Sequence, residues 1–321
     1  MELTRESPNI LSSECFYNSK AEIFPGCIGP LSALWIQLTS ACNLRCRYCY
    51  ADSAERGSRI APDLVKLLIK DFAAVNGTVV LFGGGEPSID PNLPDYLKWA
   101  HEVFGLRVGV STNGVTISAA LLDALRRCGA DVQFSVDTLD RSLFKKLCGR
   151  DRLEHVLDNI RRVMEVGIEP TLSMISTREN VNEVSKVVEF ALSQGITFLH
   201  IGKLVSTGRA SCQRDLDDVS FLELWDALYP LQIRYYRHIA IDLIEDFIAP
   251  LALNRPRGIF CGAMKHTSLE VTPTGLVTSC GMLPINLFAH GNINDDKPVH
   301  IFNRFLAGRS PSYFNAGRLD D

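Results

Sequence analysis

Ala33-Leu34-Trp35-Ile36-Gln37-Leu38-Thr39 is an apolar run that gives way to Ser40-Ala41-Cys42-Asn43-Leu44-Arg45-Cys46-Arg47-Tyr48-Cys49-Tyr50. The run reads as a strand and the cysteine-bearing stretch as the loop that leaves it. Beyond it, short apolar runs alternate with segments of helical period. The strand candidates are Ala33 to Thr39, Thr78 to Phe82, Leu106 to Thr112, Asp131 to Val136, Ile168 to Ile175 and Thr197 to Leu204, with starts 25 to 45 residues apart. That is the spacing of βα units feeding a parallel sheet. Leu64, Leu67, Leu68, Phe72 and Val75 make one helical face entered through Pro62, and similar faces recur from Leu153 to Met164 and from Val181 to Leu192.

Six such units with no credible seventh predict an α/β fold, a partial (β/α)6 TIM-like barrel whose ligands sit at the carboxyl ends of the strands. After Gly208 the rhythm changes. An amphipathic helix around Phe221 to Arg237 precedes short strands, with a hairpin turn at Pro273-Thr274-Gly275 between Ser268 to Val271 and Leu276 to Thr278. The expected division is therefore an N-terminal extension over 1–32, the barrel over 33–215 and a small α+β module over 216–321.

The 321 residues are 46% hydrophobic and 22% charged, a composition that excludes collagen, coiled coil and disorder. The 33 basic and 37 acidic residues leave a net charge of −4, so no global basic field draws the chain to nucleic acid or anionic lipid. No apolar run suits a signal peptide or a membrane span, which makes the cytoplasm the expected address and leaves nucleic acid and membrane out of the expected partners. In a reducing compartment, ten cysteines point to metal or redox chemistry rather than to disulfides.

Cys42, Cys46 and Cys49 fall within eight residues at the expected active face. Three thiolates so placed can wrap one corner of an iron–sulfur cubane and leave the fourth iron open to a substrate. A zinc knuckle is the alternative, but it wants a fourth ligand nearby, and no His or Cys occurs between Cys49 and His101. None of the seven histidines forms a H-E-x-x-H pair, so metalloprotease chemistry has no support.

The spacing C-x3-C-x2-C, with Tyr48 before the last cysteine, resembles the signature of the radical S-adenosylmethionine (SAM) enzymes. Three further segments at successive strand ends are similar to that family's motifs: Phe82-Gly83-Gly84-Gly85-Glu86-Pro87, Ser111-Thr112-Asn113-Gly114 and Ser135-Val136-Asp137. The resemblance implies a SAM-binding 4Fe–4S cluster on Cys42, Cys46 and Cys49. It implies that Gly84, Gly85 and Glu86 receive the methionine ammonium, and that Ser111, Asn113, Ser135 and Asp137 hold the ribose and carboxylate. The backbone at Tyr48 would contact adenine, while its ring has an equal claim to packing at the barrel mouth. Arg150 and Arg152 are candidates for the methionine carboxylate, with a solvated charge at a helix start as the alternative. Reductive cleavage of SAM would give methionine and a 5'-deoxyadenosyl radical, with an electron donor such as flavodoxin or ferredoxin.

Cys261, thirteen residues, Gly275, four residues and Cys280 form a second pattern. It resembles the opening of the SPASM region, or its shortened twitch form, and implies an auxiliary iron–sulfur cluster. The later cysteines of a complete SPASM region are missing, so one auxiliary cluster is expected and it is short of ligands. Cys212 is the third candidate, and Cys27, Cys15, a non-cysteine residue or the substrate could be the fourth. A zinc site from Cys212, Cys261, His266 and Cys280, or a module that has lost its metal, are the other readings. Cys128 and Cys148 read as packed residues. Cys148 or Cys212 stays open as a hydrogen-atom donor, as in family members that invert a stereocentre.

The expected activity is hydrogen-atom abstraction from an unreactive carbon. Gly208-Arg209-Ala210 and the hairpin resemble relatives that crosslink, epimerise or oxidise ribosomal peptides. The alternatives are a small-molecule radical SAM dehydrogenase or a cofactor-biosynthesis enzyme, and a non-catalytic iron–sulfur or zinc protein. About 32 residues before the barrel are too few for a leader-binding domain. That favours a separate peptide-recognition protein, a leader-independent substrate or a small-molecule substrate.

Overall fold

A computed structural model describes residues 31–213, 216, 219–243, 267–281 and 289–308. Seven parallel strands follow one another in the sheet: β1 (Ala33–Thr39), β2 (Val79–Gly84), β3 (Arg107–Thr112), β4 (Asp131–Ser135), β5 (Thr171–Ser176), β6 (Phe198–Lys203) and β7 (Ala240–Leu243). They are joined by α1 (Pro62–Ala74), α2 (Leu93–Lys98), α3 (Ala119–Arg127), α4 (Arg141–Cys148), α5 (Leu153–Glu165), α6 (Val184–Gln194) and α7 (Phe221–Tyr235). This is the α/β architecture of a partial barrel. On its outer face Leu34, Ile36 and Leu38 of β1 meet Leu68, Ile69 and Phe72 of α1, all fully buried. Each such side chain contributes roughly 1.5–3 kcal/mol on burial. The inner face is mixed, with Trp35, Ser111, Gln133 and Ser135 half-buried.

The structure departs from the expected organisation at both edges of the sheet. A seventh parallel strand, β7, pairs with β6 in the register Phe198↔Ala240, so α7 and β7 continue the βα rhythm. Ala240–Leu243 is four residues long and carries Asp242, too short and too polar to stand out as an apolar run. At the other edge β8 (Ser268–Val271) pairs parallel with β1, Ala33 opposite Ser268. β9 (Leu276–Thr278) and β10 (Ala289–Asn292) extend that edge antiparallel. The hairpin turn forms where the Pro-Thr-Gly signal places it, with Gly275 at φ +86. Residues from both sides of position 216 thus share one ten-stranded sheet.

Smaller shifts have local causes. β5 begins at Thr171 rather than Ile168, because Pro170 brings no N–H to the ladder. β2 runs on into Gly83 and Gly84. The last helix among the described residues, α8 (Pro298–Leu306), returns to α1: Phe302 meets Phe72 edge-on at 6.1 Å, and Asp71 Oδ2 accepts the Val299 N–H at 3.0 Å near the helix start. Among the described residues no helix is long and apolar enough to cross a membrane.

Candidate active site at the carboxyl ends of the strands

The loop after β1 first folds back on itself. Ser40 N donates to Ser58 O at 2.9 Å and Cys42 N to Ala54 O at 2.6 Å. Its middle is held by the end of α4, where Arg45 N donates to Cys148 O at 3.0 Å and Arg47 N to Leu147 O at 2.8 Å. α4 stops there because Gly149 adopts φ +76, and a Cβ at that glycine would come within 2.9 Å of Arg45 O. Arg47 also pairs with Glu179 at 2.8 Å, which Lys146 joins at 2.7 Å.

Cys42 is buried, and Cys46 and Cys49 are half-buried; none of the three is in a disulfide. Burial pushes the Cys42 thiol up to about 12, with Glu86, Cys46 and Cys49 adding to the rise and the Leu44 N–H opposing it. Cys46 is raised by a hydrogen bond with Cys148 and by burial. Donors already face two of the sulfurs: Leu44 N at 3.4 Å and Asn113 Nδ2 at 3.6 Å from Cys42, and Ser53 N at 3.4 Å from Cys49. N–H groups aimed at sulfur favour the thiolate and tune a bound cluster, so the residues fit a thiolate-held iron–sulfur group in kind. As they stand, no three His, Cys, Asp or Glu side chains among the described residues are arranged to hold a metal ion.

The glycine-rich turn after β2 presses on the start of this loop. Gly85 N donates to Thr39 O at 2.6 Å and Glu86 N to Ala41 O at 2.9 Å. A Cβ on Gly85 would fall 2.2 Å from Ala41 O, and Gly84 adopts φ +118, so glycine is required by backbone-to-backbone approach. The Glu86 carboxylate is fully buried and turned inward. It accepts from Ser88 N at 3.0 Å, Thr112 Oγ1 at 2.5 Å and Asn113 N at 2.7 Å, and burial raises it above its ordinary value despite these bonds. Glu86 thereby ties the β2 turn to the β3 turn. Asn113 continues the link, donating at 2.8 Å to Asn43 Oδ1 in the cysteine loop.

The remaining sequence-derived residues fall into separate places. Tyr48 packs its ring against the core and donates its hydroxyl to Asp137 Oδ2, with Cys148 Sγ at 3.4 Å. Asp137 also accepts Ile175 N at 2.7 Å, and burial pushes it up to about 6. Ser111 and Ser135 are half-buried on the inner face. Arg150 stands in an exposed ion pair with Glu55 at 3.5 Å, and Arg152 is exposed. Cys128 lies in the core. Cys148 is buried too, yet beside Cys46 and Tyr48, a proximity that its helical face in the sequence did not reveal.

Of the second group, Cys280 is half-buried after β9 and Cys212 is exposed at the end of a 3-10 turn. Cys261, His266, Cys15 and Cys27 lie outside the described residues. Tyr50 stands between the two groups, its hydroxyl raised by burial and by the nearby Glu270, Cys49 and Cys280. Glu270 on β8 takes hydrogen bonds from Gln37 Nε2 and Gly281 N, and burial raises it as well. No local motif marks Tyr50, Glu270 or Gln37; only the pairing of β8 with β1 brings them together.

A parallel barrel sheet that offers three cysteines from its first loop, with the next strand ends tied into that loop, defines a class of enzyme. Residues 36–191 match the family model of the radical SAM superfamily. That family implies a 4Fe–4S cluster and SAM. The chain is 29% identical over 262 residues to the probable GTP 3',8-cyclase of Sulfurisphaera tokodaii, covering 77% of this chain and 80% of that one. It is 26% identical over 302 residues to the probable GTP 3',8-cyclase of Methanosarcina mazei, covering 88% and 87%. Among solved structures it resembles Streptococcus suis SuiB bound to precursor peptide SuiA (TM-score 0.72, 17% identity, 88% of this chain and 67% of that one). It also resembles native anSMEcpe with bound AdoMet (TM-score 0.67, 17% identity, 87% and 82%). At such identities these two structures speak for the fold.

Proposed function

We propose that Cys42, Cys46 and Cys49 hold the SAM-binding 4Fe–4S cluster and that the chain abstracts a hydrogen atom from a small-molecule substrate, as a cofactor-biosynthesis enzyme does. When bound, cluster and SAM supply a 5'-deoxyadenosyl radical by one-electron cleavage of the sulfonium. The observation that carries the site is the set of N–H donors already aimed at the Cys42 and Cys49 sulfurs. Asn113 would orient Cys42 and Asn43 together. Tyr48 would be fixed through Asp137, leaving its backbone for adenine, while Ser111 and Ser135 face the inner side of the barrel where the ribose and carboxylate would lie. Because the Glu86 oxygens are taken up inside the fold, the methionine ammonium would go to backbone of the Gly84–Gly85 turn.

The substrate class rests on the relatives named as GTP 3',8-cyclases, which align over most of this chain. The peptide reading keeps one specific support, the precursor peptide bound by a protein of the same fold. Its sequence support is weaker, since Gly208 and Arg209 are engaged by the cysteine loop. Cys280, with Cys261 and Cys212, remains the proposed auxiliary iron–sulfur site, in the module proposed over 216–321 beside the barrel of 33–215. A cytoplasmic protein supplied with electrons by flavodoxin or ferredoxin completes the reading.

The test is an anaerobic incubation of the iron-reconstituted, dithionite-reduced protein with SAM and each ribonucleoside triphosphate. GTP or another nucleotide should raise 5'-deoxyadenosine above the substrate-free rate, with a modified nucleotide formed alongside. No stimulation by any nucleotide would move the assignment to the peptide reading.

A further inference from the structure

Arg209 lies 163 residues along the chain from Cys46, yet its side chain is only 10% exposed because it is inserted into the cysteine loop. Its Nη1 donates to Cys46 O at 2.5 Å and its Nη2 to Ser53 O. The same guanidinium pairs with Asp52 at 3.0 Å, and the backbone N–H of Arg209 donates to Cys49 O at 2.9 Å. Residues 46, 49, 52 and 53 are thus gathered by one residue from the segment after β6. Gly208 makes the approach possible: it adopts φ +56, and a Cβ there would fall 2.1 Å from Tyr50 O. The end of α4 holds the loop at Arg45 and Arg47, so Cys46 is gripped by both α4 and Arg209, and Cys49 by Arg209.

The geometry points to Arg209 as a positioning residue of the cysteine loop, whose forked guanidinium fixes the backbone that presents Cys46 and Cys49 and whose charge favours the reduced state of a cluster held there. A planar fork reaches two separated carbonyls from two different nitrogens in fixed directions, a span that the point-like ammonium of a lysine does not reproduce. Its cation stands beside the loop in a half-buried setting, where charge shifts a cluster potential. The inference rests on the proposed cluster site at Cys42, Cys46 and Cys49, and it concerns neither SAM contacts nor substrate.

Two variants separate fork from charge: Arg209→Lys keeps the charge and loses the fork, whereas Arg209→Gln loses the charge. Arg107→Gln, the same charge change at the amino end of β3, is the control. The measurements are the rate of iron release to a chelator from the reconstituted, oxidised protein and the midpoint potential of the cluster, with circular dichroism to confirm folding. Both Arg209 variants should release iron on the order of tenfold faster, the effect of losing hydrogen bonds to a charged donor. Arg209→Gln should have a more negative potential, and Arg209→Lys one close to the unmodified protein. If either release rate is unchanged, or the Gln potential is, the inference falls; should Arg209→Gln not fold, Arg209→Lys still carries the release test. A Cys42→Ala, Cys46→Ala, Cys49→Ala variant that keeps all its iron would overturn the cluster site itself, a result distinguishable from failure at Arg209.

Discussion

The two cysteine regions of this sheet are built differently. Cys42, Cys46 and Cys49 ride on a loop whose backbone is captured from three directions: by the Gly85 turn, by the end of α4 and by Arg209. Cys280 follows a three-residue strand, with Thr278 Oγ1 donating to its carbonyl at 3.4 Å and its neighbour Gly281 bonded to Glu270. In the first region the thiol-bearing backbone is shaped by contacts between distant segments. In the second it is shaped by one hairpin, and its sequence partner Cys261 lies outside the described residues. The comparison teaches that the first loop is shaped chiefly through its backbone carbonyls and amides, with its three cysteines outside any disulfide. Tyr50 sits where the two regions meet, its hydroxyl raised by burial first, then by Glu270, Cys49 and Cys280.

The largest effect expected from breaking the first region is that of Gly85→Ala. Its methyl would stand 2.2 Å from Ala41 O, where only backbone could yield. A loss of about 3 kcal/mol is expected, near the upper end for a single substitution, read as a lower denaturant midpoint with unchanged slope. An unchanged midpoint would mean that the β2 turn does not press on the loop.

Next comes Asp137, raised to about 6 from an ordinary value near 3.8 by burial. A carboxyl with a raised folded value favours the fold most when protonated, below the unfolded value, and that contribution is lost as pH rises through about 6. The iron-free protein should therefore lose roughly 2–3 kcal/mol from this group between about pH 4 and 6. Asp137→Asn should flatten that slope in denaturation curves taken across the range; an equal slope in the variant would place the titration elsewhere.

The smallest effect sharpens the contrast from the other side. Cys280→Ala should leave stability within about 1 kcal/mol. It should also preserve substrate-free formation of 5'-deoxyadenosine, while lowering iron bound beyond the first cluster. Loss of all SAM cleavage in this variant would join the two regions into one site.

Much of the barrel was legible because its strands carry compact apolar runs, as in Ala33–Thr39 and Arg107–Thr112. β7 was not, since Ala240–Leu243 owes its place to pairing with β6 rather than to its own pattern. The return of α8 onto α1 escaped for a similar reason: Phe302 and Phe72 are 230 residues apart in sequence. At the site, the C-x3-C-x2-C spacing is a local signal and was read directly. The inward turn of Glu86 depends on Thr112 and Asn113 converging from another strand, and the grip of Arg209 depends on the segment after β6 reaching the cysteine loop. Local order carries motifs, whereas the direction of a buried side chain is set by what folds against it.

The central claim is that the three cysteines of the first loop form the centre at which SAM is cleaved. Anaerobic reconstitution with iron and sulfide, reduction by dithionite and chromatographic quantification of 5'-deoxyadenosine, with and without the Cys42→Ala, Cys46→Ala, Cys49→Ala substitutions, test it most directly. The account predicts 5'-deoxyadenosine from the unmodified protein and none from the triple variant. Equal product from both, or a reducible iron–sulfur protein that forms none, would contradict it.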